Sequence, residues 1–597
     1  MKRLLFLLSL VALASAAEAT NYYVSATGND ASNGTSPATA WKTISKVNSF
    51  TFAANDSILF KRGEVFFGSI VVNRNNLNYA AYGTGARPLI SGFATLSGWT
   101  LVSAGIYQAS VTAKSTLNMV TVNGRPQQIG RYPNASDANG GYLVYEAATG
   151  TSITDNQLTT AVNWTGAEVA IRKNGWMIDK GHVTNHTGGT ITYRMARNIN
   201  TGNSPQMSNA KVGHGYFFMD DPRTLDQFGE WYFDTTAKKL QMFFGSNTPS
   251  NYDVRVSVVD TLMNMGNRTY ISVNELNFEG GNQSGVYSYL GGFITVKNCN
   301  FTNIGSRAVH FFSSNDVLVE NVNTNNVLSN AIQVINRTKN NVTVRNCVAR
   351  NTSPFAGMGS FYDDSDNKGM YITVASNGLI EYNVVDSVGL SGIQFAGNNI
   401  VVQNNFVNYF CYRLHDNGGI YTYAGGTDAN PSAFFTNRLV KNNIIMNGIG
   451  APDGTNSSAA YVAGIYLDGR TMNVTVLNNT VFNSAKNGIH CNNPSNITIR
   501  GNTFFNNLQD ISFMRWGWGS INNLVIKRNI SFPYNETQRN IYYTNAGLNT
   551  PTPTTLEDNL RSLGSIDSNY YNTFTDAGFQ FEIYNTEGGS LMQTSPY

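Results

Sequence analysis

The sequence predicts an all-β solenoid: coils of parallel strands stacked along one axis, closed by an N-terminal cap and carrying a β-rich insertion. Three observations lead there. From about residue 267 to 535 one phrase recurs, an alternating apolar strand, a short break and a fixed slot. That slot holds Leu276, Cys299, Val322 and Cys347, then Asn383, Asn405, Asn443, Asn479, Asn502 and Asn529, at spacings of 23, 23, 25, 36, 22, 38, 36, 23 and 27 residues. A base period of 22–23 with a few enlarged copies is one coil per repeat. Each copy also carries a second strand opening on Gly or Ala, such as GIQFAG, GGIYTYAG, AGIYLDG and GIHCNN. Finally, only 13% of residues are charged while 56 are glycine, a composition of strands and turns rather than coiled coil or disorder.

Residues 1–19 combine Lys2 and Arg3, an apolar run from Leu4 to Ala14, and Ala17-Glu18-Ala19, which reads as a cleaved secretory signal. The run is too short for a membrane span, and no later segment is long and apolar enough for one. A secreted or periplasmic location and a monomer are expected. Residues 20–98 supply a cap, with a strand at NYYVS and a short helix in TAWKTISKVNS, followed by the first coils. Residues 99–256 lose the beat but keep strand-like pieces (IYQASV, AEVAIRK, TITYRM, EWYFD, LQMFFG), so they form the β-rich insertion, a small sandwich lying against the helix. The main solenoid runs over 257–535, and 536–597 is expected to be a cap or tail.

Net charge is +3, close to balance, which gives no electrostatic footprint for nucleic acid. The four cysteines do not read as a disulfide framework. Cys299 and Cys347 share one slot two coils apart, about 9.6 Å at the usual strand spacing, too far to bridge. Buried thiols are expected, and no Cys/His spacing suggests zinc.

Stacked in register, equivalent side chains form ladders. Alternation then puts Ile393, Ile420, Ile465 and Ile489 inside and Gln394, Tyr421, Tyr466 and His490 outside, a polar and aromatic wall. Enlarged loops at 353–368, 409–417 with 424–437, and 448–462 would border a groove over this wall.

The repeats resemble the right-handed parallel β-helix of the pectate-lyase-like superfamily, asparagine ladder included. NYYVSATGNDASNGTSPATAWKTISKVN, LFKRGEVFFGSI, HDNGGIYTYAG and AGIYLDG resemble stretches of secreted bacterial β-helix carbohydrate enzymes. That resemblance implies a polysaccharide or oligosaccharide substrate and a glycoside hydrolase.

Hydrolysis needs a carboxylic acid to protonate the leaving oxygen and a second carboxylate as nucleophile or base. Asp416 ends an enlarged loop against the outer wall; D-N-G-G is equally a turn sequence. Asp468, in the next coil, is the one carboxylate of its outward row, or the start of an ordinary Asp-Gly turn. Asp386, one coil before Asp416, is held in reserve. His415 and His490 could tune a carboxyl or bind hydroxyls, Tyr421, Tyr423 and Tyr466 offer stacking faces, and Gln394 and Arg413 are further substrate contacts. A second reading is a lyase, in which Asp363, Asp364 and Asp366 hold calcium and Lys368, Arg413 or Arg470 is the base. No cofactor is expected for the hydrolase. A third reading is a non-catalytic carbohydrate-binding surface.

Overall fold

The computed structural model describes residues 19–111, 116–158, 162–195, 210–359, 366–424, 434–516, 521–546, 563–572, 579–585 and 589–595. Nearly all of the expected leader, with Asp363 and Asp364, lies outside them. The chain is a parallel β-helix. Two sheets, of 25 and 13 strands, run its length, and coil-to-coil pairing is parallel throughout the body. Long strands such as Met370–Glu381 and Ile393–Gln403 pass through a corner and serve two successive sides of a coil.

The asparagine slot has one physical role. Asn383, Asn405, Asn443, Asn479, Asn502 and Asn529 each donate from Nδ2 to the Oδ1 of the next, at 2.9–3.0 Å. Each also donates to a carbonyl of the preceding coil, for example Asn443 to Val402 at 3.0 Å. Each Oδ1 accepts a backbone N–H from that coil, as Asn443 does from Asn405. Every polar group of these buried amides is thereby answered at a corner that water does not reach. The residue before the slot turns the corner with a left-handed backbone: Asn404, Asn442 and Asn478 have φ of 55°, 56° and 54°, which asparagine tolerates better than other L-residues. In the earlier coils Leu276, Cys299, Val322 and Cys347 fill the slot by packing, and Asn383 Oδ1 caps the Cys347 N–H. All four cysteines are free and buried.

The cap places helix Ile44–Ser49 across the end of the first coils, with Thr43 accepting from the Lys46 N–H and Trp41 and Val47 buried. Strand Leu77–Tyr82 pairs directly with Thr269–Asn274, and Leu89–Ser91 with Asn277–Glu279. The chain thus leaves the solenoid after residue 91 and returns to the adjacent coil. Between lie three small antiparallel sheets. The largest includes Glu168–Arg172, Ile178–Thr187, Thr190–Met195 and Gly215–Met219. Alternation splits its two faces. Val169, Ile171, Tyr216 and Phe218 build a separate core, whereas Ala170, Phe217 and Met219 join the solenoid's.

The solenoid extends beyond residue 535. Strands Arg539–Ala546 and Gly564–Asp567 add parallel to Gln509–Trp516 and Leu524–Lys527, and Asn569 continues the ladder from Asn529 at 2.9 Å. The fortieth-residue spacing between those asparagines hides the repeat in the sequence. Strand Gly589–Ser595 then pairs antiparallel with Phe579–Asn585. No helix among the described residues is long and apolar enough to cross a membrane.

Replacing Asn443 by Leu keeps the bulk but strips partners from Asn405, Val402 and Asn479. We expect a loss of on the order of 3 kcal/mol, read as a lower denaturant midpoint at unchanged slope. A loss below about 1 kcal/mol would show that water replaces the ladder there.

Candidate active site

The outer row forms as a ladder: Tyr371, Gln394, Tyr421, Tyr466, His490 and Ser512 stand opposite one another on successive coils. The wall is not the open surface the alternation suggests. Tyr371, Gln394, Tyr466 and His490 are buried, and Tyr421 is half-buried. Asp416 and Asp468, both half-buried, lie at the margins of this closed row.

Asp416 immediately precedes strand Asn417–Thr422, with a left-handed φ of 60° and its N–H on the Tyr461 carbonyl of the next coil at 2.5 Å. Asp468 follows strand Val462–Leu467, so the two acids flank the row from opposite ends of neighbouring strands. Two tyrosines cross between the coils. The Tyr466 hydroxyl donates to Asp416 Oδ1 at 3.3 Å, and the Tyr421 hydroxyl donates to Asp468 Oδ2 at 2.7 Å. Their rings meet edge to face with centroids 5.5 Å apart. Asp468 Oδ1 also accepts from the Gly469 N–H at 2.7 Å and from Asn492 Nδ2 at 3.1 Å.

Burial, then the charge of Asp468, pushes the Asp416 carboxyl up to about 6; the Tyr466 hydrogen bond and the charge of Lys486 pull it back down. Lys486 lies just before strand Asn487–Asn492, its Nζ 3.4 Å from the centre of the Tyr461 ring. Burial lowers this ammonium to about 8, opposed by Asp416.

The insertion reaches this place. The His415 N–H donates to the Gly175 carbonyl at 2.9 Å, and a Cβ on Gly175 would stand 2.4 Å from the His415 ring. Arg172, fully buried, donates to the carbonyls of Gly175 at 3.0 Å, Ala451 at 2.9 Å and Asp453, locking the insertion to the 448–462 loop. The Gly215 N–H on the Gly454 carbonyl, at 2.8 Å, adds to the joint.

Other expected residues fall elsewhere or take different parts. Asp386 belongs to the 13-stranded sheet, on another side of the coil, where it accepts from Asn408 Nδ2 at 2.9 Å; it does not join Asp416. One coil of axial separation holds for Asp386 and Asp416, but the strands that carry them face different ways. His415 and His490 are both driven down to about 3, by burial above all, which leaves neutral rings. His490 packs on Tyr466 at 4.9 Å and bonds Ser512 at 3.0 Å. Tyr423 lies beside Asp468 in the register and packs against Phe435, its carbonyl taken by Arg438. Arg413 stacks on Tyr412 and raises no contact with the carboxyl pair. Asp366 turns inward, paired with Arg307 at 2.6 Å and accepting from Ser329, while Lys368 is buried over Tyr371. Among the described residues no group of three or more His, Cys, Asp or Glu side chains could hold a metal ion.

Lys486, Tyr461, Asn492 and Gly175 were not singled out by sequence. The first two had a usable signal, since both sit just ahead of an outer strand in the loop slot that Asp416 occupies. Gly175 had none.

No protein-family model and no curated protein matches this sequence. Among solved structures the chain is similar to a glycoside hydrolase, at 11% identity over 93% of this chain and 95% of that one, with a TM-score of 0.44. It is also similar to the GH136 lacto-N-biosidase from Eubacterium ramulus (11% identity, 93% and 68% covered, TM-score 0.35) and to a hyperthermoactive exopolygalacturonase from Thermotoga maritima (12%, 56% and 74%, TM-score 0.26).

Proposed function

We propose that the protein is an exported glycoside hydrolase acting on a polysaccharide or its oligomers, with Asp416 as general acid and Asp468 as its partner carboxylate. The observation that supports this most is the crossed arrangement of two tyrosines, each binding one of the two carboxyls from the neighbouring coil. It ties each acid to the coil that carries the other. Burial, then the charge of Asp468, raises the Asp416 carboxyl to about 6, so a proton is retained there nearer the pH where the leaving oxygen must receive it. Asp468, which accepts from three donors, is the partner that takes the proton from water.

The acids sit at opposite ends of facing strands with the tyrosine pair between them. We take the inverting route, whose two carboxyls stand roughly 6.5–9.5 Å apart so that water enters between them. In the inverting step Asp468 takes a proton from water, the water oxygen bonds to the anomeric carbon, and the glycosidic bond breaks as Asp416 protonates the departing oxygen. Nuclear magnetic resonance of the first product, across a polysaccharide panel, should show the inverted anomer; retention would recast Asp468 as a nucleophile.

A lyase is the second reading, favoured by one specific observation: an ammonium lowered to about 8 beside Asp416 makes Lys486 the available base. Product mass separates the two, since hydrolysis adds water and elimination does not.

Four outcomes test the assignment. Asp416→Asn and Asp468→Asn should each lower turnover by ~10²–10⁴-fold while substrate affinity persists; unchanged turnover in either removes that residue from the chemistry. Because an acid works only while protonated, the rate should fall as pH rises through about 6. Lys486→Met removes a charge that favours ionised Asp416, so this limb should move to higher pH with turnover kept, whereas a lyase would lose turnover. Gly175→Ala should displace His415 and reduce turnover with little change in melting temperature, and full activity would show that the insertion does not shape the site.

A further inference from the structure

A second polar cavity lies where the insertion meets the solenoid, away from Asp416 and Asp468. It encloses 150 Å³ and is lined by Glu168, Lys180, Asp220, Asn118, Trp231 and Phe233 among others, with Met358 of the 353–368 loop on the solenoid side. The joint is built: Asn118 donates twice to Asn282, from its N–H to Oδ1 at 2.8 Å and from its Nδ2 to the carbonyl at 3.0 Å. The Trp231 Nε1–H is spent on the Gln127 carbonyl at 3.0 Å, so the indole has no further donor to offer.

The polar side is close to electrically neutral. Lys180 Nζ lies 3.4 Å from Glu168 Oε2, so one acid already has its cation. Asp220 Oδ1 is shielded from water and has no hydrogen-bond partner. Burial, then the charge of Glu168, raises this carboxyl to about 7, so near neutrality it both donates and accepts. A cation would meet Lys180, and an anion would meet two acids. What fits is an uncharged molecule with hydroxyls on one side and a C–H surface on the other. At 150 Å³ the space is well below that of a drug-sized pocket and suits one ring.

We propose that this cavity is a non-catalytic binding site for a single pyranose unit. The ligand class rests on the lining and not on the reaction assigned to Asp416. Strand Gly215–Met219 connects the two places: Gly215 bonds the 448–462 loop at one end, and Met219 with Asp220 borders the cavity at the other.

The test uses the full chain and four probes, glucose, galactose, xylose and N-acetylglucosamine, each titrated at millimolar concentration and followed by calorimetry. At least one should bind. Asp220→Asn, which suits the left-handed backbone at φ 51°, should weaken it about tenfold. Thr235 is an exposed turn residue on the cavity lining, so Thr235→Trp should obstruct the cavity with the fold kept, should Asp220→Asn not fold. The proposal is overturned if none of the four sugars binds, or if binding survives both substitutions, which would place the sugar elsewhere, such as in the groove. None of these outcomes depends on turnover, so a failed hydrolase assignment leaves the result readable.

Discussion

In-register stacking is the constraint on which everything else depends. Buried amides at a corner need partners, and the Asn383-to-Asn569 ladder supplies them: each Nδ2 donates to the next turn of chain and each Oδ1 accepts from the one before. Register is fixed as a result, because a slip of one residue would bring a strand's polar face inward. Fixed register is what lets Tyr466 reach Asp416 and Tyr421 reach Asp468, partners separated by 50 and 47 residues along the chain. The site's geometry is therefore a consequence of the core, not of the loops alone.

The electrostatics of the site follow from how tightly the wall is roofed. Shielding acts against charge on four groups there: it lifts Asp416, lowers Lys486 and holds His415 and His490 neutral. The histidines, the obvious proton carriers by composition, are thereby removed from proton transfer at ordinary pH. The carboxyl is moved towards neutrality instead. Burial thus decides which residue can serve as the acid, and it reverses the choice that unperturbed side chains would suggest.

What could be read from sequence was whatever the period controls. The coil, the inward isoleucines, the outward tyrosines and the buried thiols all follow from a slot repeated every 22–23 residues. Asp416 and Asp468 were visible because each adjoins an outer strand at a place where the alternation ends. Asp386 misled because axial distance was legible and the facing of its strand was not. The burial of the wall, Gly175 above His415 and Arg172 bound to the 448–462 loop were invisible, since they join segments with no shared period. The last coils escaped because a long spacer separates Asn529 from Asn569.

The insertion is best understood through its two points of attachment. It leaves and re-enters between adjacent coils, so both ends are anchored in the sheets that set the solenoid's register. Its far edge is then fixed by Arg172, a buried guanidinium held by three backbone carbonyls rather than by a carboxylate. Carbonyls belong to the main chain, so this joint reads the path of the 448–462 loop and not the identity of its side chains. Because that loop ends at Tyr461, whose carbonyl binds the Asp416 N–H, any shift of the insertion is transmitted to the acid through main-chain hydrogen bonds. A domain that contributes no carboxylate to the pair can still determine where one of them points.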